Sequence, residues 1–396
     1  MAAPLLGRKT VLGAKAETTP GTAESLTVAE AAFVAYDVAI SPTVDMLHRP
    51  RQGGFGEHAA VAGPALGRAS FRLDLAGAGS SGSPVPGWAD TLLPGCGLVK
   101  TAAVTTNISA ATAANPCVLT VASVSGIAVD DWVYIAGISG NMGTDVLNGR
   151  FHRVTTVNTG GSKITIDANT TGKTYASGGT ATRAAYFAPT TAPPEAAGSA
   201  AKTLTVGRWS DGRLTTIHGA MGTLRLTCPT GRIVGIEFTF NGIYDRPVDS
   251  ALVVPTWPTV VPPKFAGKLD LGGTAIKTAN LTIDLGNEVV VREDANAAAG
   301  YCSAVVADRL VTGSMDPEAG LVAALPQVAD WLDGTADTLF AQVGTTPGNI
   351  AAIAAPACQR TNVQDGERNR LAIDQIDFQC NPSADAGNDE LRIYFL

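Results

Sequence analysis

Five prolines fall within residues 245–265, at Pro247, Pro255, Pro258, Pro262 and Pro263. Proline has no amide hydrogen and fixes φ, so this stretch can be neither a helix nor a central strand. It reads as an extended connector, and it splits the 396 residues into a longer first part and a shorter second part. On both sides the apolar residues alternate with polar ones over short runs. In residues 70–75, Phe71, Leu73 and Leu75 point one way while Arg72 and Asp74 point the other, which is the pattern of a half-buried strand. Comparable strands are predicted at 33–40, 118–121, 132–135, 152–157, 163–166, 214–217, 223–227, 233–240, 281–285, 289–291, 350–353, 371–380 and 391–396. Helical signals are confined to two short stretches. Residues 86–93 carry Pro86 in the first turn, with Trp88 and Leu92 one turn apart on one face. Residues 328–333, around Trp331, form the other. The expected class is mostly β.

The second part of the chain repeats features of the first. Val38-Ala39-Ile40 aligns with Ile283-Asp284-Leu285 at a shift of 283 − 38 = 245. Trp88 aligns with Trp331 and Asp90 with Asp333, at a shift of 243. Gly212 to Ile217 aligns with Gly348 to Ile353 at 348 − 212 = 136, and Ile236-Glu237-Phe238 and Asn241 align with Ile376-Asp377-Phe378 and Asn381 at 140. The shift drops by 243 − 136 = 107 between Trp88 and Gly212, where residues 104–184 and a Pro/Ala linker at 189–201 lie. Chance similarity of short β segments is the competing explanation. The expected organisation is therefore an N-terminal arm at 1–30, a first unit at 31–103 and 185–245, an inserted small all-β domain at 104–184, a connector at 246–264, and a second unit at 265–396. Residues 44–63, with Arg49-Pro50-Arg51-Gln52-Gly53-Gly54 at their centre, read as an irregular loop.

Few residues point to a reaction. Gly77-Ala78-Gly79-Ser80-Ser81-Gly82 fits G-x-G-x-x-G between a strand and a helix. A dinucleotide site also needs a second buried strand ending in an acid about 20 residues on, and residues 101–114 contain no acid. A flexible loop is the alternative. The histidines, His48, His58, His152 and His218, have no nucleophile beside them in sequence, and neither a nucleophile elbow nor a phosphate-loop Gly-Lys-Ser/Thr occurs. His218 is expected to be structural. The six cysteines stand alone, without C-x-x-C or a histidine at metal-ligand spacing, as buried thiols of a reducing compartment would. Asp130, Asp131 and Asp145 could serve a cation or could be surface-turn acids; a run of spaced oxygen ligands is missing. No metal, cofactor or enzymatic activity is expected.

Lysine and arginine total 28 against 35 acids, a net charge of −7. That balance argues against a protein that grips nucleic acid by its phosphates. No apolar run approaches membrane-spanning length. The N-terminus, with Arg8-Lys9 after its apolar residues, does not read as a signal peptide. Arm residues Leu5, Leu6, Val11 and Leu12 are expected to have no core of their own, so with Arg8 and Lys9 they are candidates for an interface between subunits.

Leu5-Leu6-Gly7-Arg8-Lys9-Thr10-Val11-Leu12-Gly13-Ala14-Lys15 resembles the N-terminus of the tail tube proteins of long, non-contractile-tailed phages. Phe71 to Gly77 followed by Pro86-Gly87-Trp88 and Leu92 to Gly97 is similar to the same family. So are Ile236 to Tyr244 with Pro255 to Pro263, and the ending Gly387-Asn388-Asp389-Glu390-Leu391. The resemblance covers about residues 1–100 and 186–396; residues 104–184 depart from it and resemble small β domains displayed outside phage tubes. It implies tail-tube-type β-sandwich or barrel units, and a structural virion protein stacked in rings around a DNA channel, without catalysis or membrane. The implied partners are copies of itself, the tape measure protein and phage DNA in the lumen, and other tail proteins at the tube ends. The implied locations are the virion and, during synthesis, the cytoplasm of the host bacterium. Rings of this family contain six units, so a chain supplying two implies three chains per ring. A capsid decoration protein, or a secreted adhesin or carbohydrate-binding β protein, is the rival reading.

Overall fold

A computed structural model describes residues 5–385 and 387–396. Strand takes 52% of the chain and helix 6%, so the class is mostly β. The short alternating runs become strands because their apolar sides meet in one continuous core. Phe71, Leu73, Leu224, Leu226, Ile236, Phe238, Ile283, Ile376 and Phe378 are all buried there. Among the described residues, seventeen strands are hydrogen-bonded into one sheet system, six more close into a separate barrel, and two form a further hairpin.

The strands of the large system follow the same order in the first and second parts of the chain. In the first part, Thr10–Ala16 pairs with Leu204–Ser210, then Arg213–Pro229, Gly235–Tyr244, Glu57–Asp74 and Tyr36–Pro50, every pair antiparallel. In the second part, Leu269–Leu271 pairs with Ala336–Val343, then Ala351–Arg368, Leu371–Asn381, Thr312–Pro317 and Thr278–Asp284, again antiparallel. A short helix follows the fifth strand of each set in sequence, Gly87–Gly95 and Gln327–Leu332. Pro86 caps the first, and Leu92 and Leu93 are fully buried beneath it.

Two seams join the parts. Residues 225–229 of Arg213–Pro229 pair with residues 280–284. The last strand, Arg392–Phe395, pairs with Ala351–Arg368 on one side and Ala185–Pro189 on the other. The connector carries only the two-residue strand Val248–Asp249, as its prolines require.

Residues 104–183 form the closed barrel, with strand order Thr180–Arg183, Val104–Ala111, Cys117–Val121, Lys163–Ile166, Arg150–Asn158 and Trp132–Ala136. It has its own core, including Ile108, Leu119, Val133, Ile135, Val154 and Ile164. Arg183 lies opposite Val104, so the chain enters and leaves side by side. The flanking strands Leu98–Thr101 and Ala185–Pro189 pair with each other in the large system.

Several expectations differ from what is observed. Residues 44–63 are not an irregular loop: Tyr36–Pro50 and Glu57–Asp74 form one long hairpin through them, with register shifts. Most of its outer residues are exposed on both sides, so no apolar alternation could mark it. Val289 does not continue the preceding strand. Gly286, at φ +63°, breaks the chain, and Asn287–Glu293 pairs instead with Tyr301–Arg309. An added Cβ at Gly286 would sit 2.0 Å from the Leu310 carbonyl oxygen, so glycine is needed at this turn.

Candidate functional site

Eight consecutive strands, from Tyr36–Pro50 across to Ala351–Arg368, build one face whose outward residues are polar. Because side chains alternate along each strand, cross-strand partners fall into rows. One row takes a residue from every strand: Tyr36, Arg72, Glu237, Arg225, Asp284, Thr312, Gln379 and Gln359. Basic and acidic side chains alternate over four adjacent strands, from Arg72 to Asp284. A neighbouring row runs Asp74, Gly235, Thr227, Thr282, Ser314, Asp377 and Asn362. The rows hold two arginines, Arg72 and Arg225, against four carboxylates, Asp74, Glu237, Asp284 and Asp377. This face carries no excess of positive charge.

Hydrogen bonds tie the face laterally. The Thr282 and Ser314 hydroxyls are 2.7 Å apart, Asn362 Nδ2 donates to Asp377 Oδ2 at 3.2 Å, and Tyr36 Oη donates to Asp74 Oδ2 at 3.1 Å. The Arg72 guanidinium lies over the Tyr36 ring at 5.5 Å. Such contacts hold these polar side chains against the sheet and against one another. Sequence alone gives the outward parity of each residue but not the rows, since these depend on registers between strands far apart in the chain.

The barrel docks on the second part of the chain. Trp132 stacks on Phe340 with ring centroids 3.8 Å apart, and Phe151 lies 5.5 Å from the same ring. Beside this stack, Arg392 Nη1 donates to Asp131 Oδ1 at 3.0 Å, and Arg183 is 3.8 Å from the same carboxylate. Burial raises the Asp131 pKa although both arginines pull it down. Each of the three acids considered for a cation is taken up by a basic side chain: Asp130 pairs with Arg153, Asp131 with Arg392, and Asp145 with Lys173. Asp131 is buried and is not a surface-turn acid.

The arm is largely built into its own subunit. Val11 and Leu12 are buried, because Thr10–Ala16 pairs with a strand almost two hundred residues later. This corrects the expectation that they lack a core. Lys9 pairs with Asp211 at 3.2 Å, while Leu5 and Leu6 are 54% and 53% exposed and Arg8 is also exposed. Among the described residues of the arm, the interface candidates left exposed are Leu5, Leu6, Arg8 and Lys9. Further along, Glu17 is buried and accepts four hydrogen bonds: from Gly21 N–H and Thr203 Oγ1 on one oxygen, and from Thr205 Oγ1 and Gly219 N–H on the other. No sequence motif marks it.

The G-x-G-x-x-G loop is a packing element. Gly77 N–H donates to Asn349 Oδ1 and Gly79 N–H to the Gly348 carbonyl, which clamps the loop to a turn of the second part. His218 Nδ1 lies 3.0 Å from Asp245 Oδ2, and His152 is buried, 3.3 Å from the Leu147 carbonyl. Five cysteines are buried and Cys302 is half-buried, all as free thiols. Among the described residues, no group of three His, Cys, Asp or Glu side chains gathers as a metal site, and no helix is long and apolar enough to cross a membrane. Compared with known proteins, the chain matches no family model and is significantly similar to no curated protein.

Proposed function

We propose that this chain is a tail tube subunit of a long, non-contractile-tailed phage, and that it contributes two tandem copies of one β unit to a ring around a DNA channel. The observation that carries the reading is the agreement between sequence shifts and strand registers. Ile236 faces Leu73 as Ile376 faces Met315, giving shifts of 376 − 236 = 140 and 315 − 73 = 242. Ala39 faces Ser70 as Asp284 faces Thr312, giving 284 − 39 = 245 and 312 − 70 = 242. Val206 faces Ile217 as Ala341 faces Ile353, giving 341 − 206 = 135 and 353 − 217 = 136. These agree to within one residue with the shifts of 245, 243, 140 and 136 in the sequence, and chance similarity of short strands has no reason to produce such agreement in register.

In this reading the polar eight-stranded face is a segment of the channel wall. A conduit must let DNA slide, and dense lysine or arginine contacts would hold it. A face with two arginines against four carboxylates suits passage of DNA and of the tape measure protein. Three chains with six units would close the wall, removing free sheet edges. The barrel at 104–183 is then an insertion in the first unit, carried away from the wall, and the exposed Leu5, Leu6 and Arg8 are the arm's contribution to stacking between rings. Other tail proteins would cap the tube ends.

Electron microscopy and mass measurement of the assembled protein test this. Threefold rings of three chains around an open channel are expected. Six chains per ring would remove the duplication reading, and discrete monomers at high concentration would refute the tube and favour an adhesin-like protein.

A further inference from the structure

The seam inside one chain supplies a template for the seam between chains. In the first unit, residues 225–229 are flanked by residues 280–284, with Arg225 opposite Asp284, Leu226 opposite Ile283 and Thr227 opposite Thr282. The chain then leaves this strand at Gly286, and the hairpin Asn287–Glu293/Tyr301–Arg309 lies across the first unit. Leu285 N–H donates to the Leu224 carbonyl at 2.9 Å, and Asn287 Nδ2 donates to the carbonyls of Cys96 and Gly222, each at 2.8 Å.

The corresponding place on the second unit is empty. Leu226 faces Ile236 and Val363 faces Ile376, so Leu226 corresponds to Val363 and Arg225 to Asn362. Residues 360–368 pair with Leu371–Asn381 on one side; on the other, Ala336–Val343 reaches only Gln359, and no described strand lies beyond. Meanwhile the strand that corresponds to residues 280–284 is unpartnered too. Ala39 corresponds to Asp284, and among the described residues Tyr36–Pro50 pairs with Glu57–Asp74 alone. The rest of this hairpin occupies the same chain position as the one that lies across the first unit, yet it stands free. Val44, Met46, Leu47 and Val61 are 41 to 51% exposed, and Phe55 is fully exposed. A free two-stranded hairpin is marginal in water, and an open edge invites pairing.

Resting on the ring reading, we infer that the occupant is a second copy of this chain. Residues 36–40 of one copy pair antiparallel with residues 361–365 of the next, with Ala39 opposite Asn362. The hairpin beyond, residues 41–67, lies across the neighbour's second unit as residues 286–311 lie across the first. Side-chain chemistry agrees with this register independently of the correspondence. Val38 and Val363 both face the core side of their strands, so they meet at the seam as Ile283 and Leu226 do. Ala39 and Asn362 fall on the polar face, continuing its rows into the next copy.

Disulfide trapping tests the register, because directly opposed strand residues are close enough to be bridged. In a Cys302→Ser background, differently tagged chains carrying Ala39→Cys and Asn362→Cys are co-assembled and mildly oxidised. A covalent dimer joining the two tags is expected in the assembled fraction only, and the chain with both substitutions should give covalently closed trimers. Rings that form without this cross-link would overturn the seam and leave the tube reading intact; failure to form any ring would overturn both. A second variant replaces residues 44–62 by a short Gly/Asn turn. It should melt as the wild-type subunit does and fail to assemble. Normal assembly of that variant would also refute the inference.

Discussion

At the scale of single residues, the fold depends on polar side chains that no motif announces. Glu17 binds the bulge at Gly219 to the turn at Gly21, and both partners have backbone that disfavours a side chain, with φ of +57° and +78°. Replacing it by alanine leaves one buried and one half-buried amide and two buried hydroxyls without that acceptor. At roughly 1–3 kcal/mol for each buried unsatisfied group, and with the hydroxyls free to turn elsewhere, Glu17→Ala should cost about 3 kcal/mol. The urea midpoint would fall with an unchanged m-value; a loss below about 1 kcal/mol would show that water replaces the carboxylate. His218 behaves differently. Burial opposes its charge, but the Asp245 carboxylate, with a smaller contribution from Glu17, outweighs burial and the pKa is raised. A base with a raised folded pKa adds stability that is fully present below its unfolded pKa of about 6.5 and is lost as pH rises through the folded value. Stability should therefore decline through neutral pH, and Asp245→Asn should flatten that decline. An unchanged slope in the variant would mean another group titrates.

Among the elements, the barrel is the clearest independent piece. Its strand ladder closes on itself, its core is its own, and its ends meet at Val104 and Arg183. Residues 104–183 expressed alone should melt cooperatively by circular dichroism; a non-cooperative trace would make the barrel dependent on its host. Deleting it is harder than its closed ends imply, because Phe340 and Tyr394 would lose their cover and Arg392 its carboxylate. In the full chain, Phe340→Ala should lower stability by about 3 kcal/mol through the cavity it leaves. Protease should then cleave faster at residues 102–103, beside the barrel; unchanged cleavage would mean the aromatic stack does not hold the barrel in place. These elements were legible in the sequence to different degrees. The helix at Gly87–Gly95 and the strand through Phe71 and Leu73 stand out because each buries one patterned face. The long hairpin through residues 44–63 does not, since most of it has no buried face to pattern. Strands Val104–Ala111 and Thr180–Arg183 hide because their small Ala, Thr and Ser side chains carry little apolar contrast. Burial of Val11 and Leu12 was beyond any local window, since their partner strand begins at Leu204.

For the whole molecule, the decisive quantity is where the charge lies. The chain carries −7, so the proposed ring of three would carry 3 × (−7) = −21, and the rows on the polar face contribute no compensating basic excess. If that face is the channel wall, assembled rings should not bind a short DNA duplex measurably near physiological salt, where phosphate contacts from lysine and arginine supply most non-specific affinity. The row through Arg72, Glu237, Arg225 and Asp284 offers a direct way to reverse this. Changing Glu237 and Asp284 to lysine raises the chain by four charges and places four basic residues side by side on adjacent strands. Three chains then add six lysines to the wall. If all six reach phosphates, the logarithm of the binding constant should fall with the logarithm of salt at a slope of about −5. Both side chains point outward from the core, Glu237 exposed and Asp284 half-buried, so melting of the variant should stay close to wild type. Fluorescence anisotropy of a labelled duplex against assembled rings, read from low to high salt, makes the comparison. Wild-type rings that bind DNA tightly with a steep salt slope would show a gripping surface, and the account of this face as a passive wall would fail.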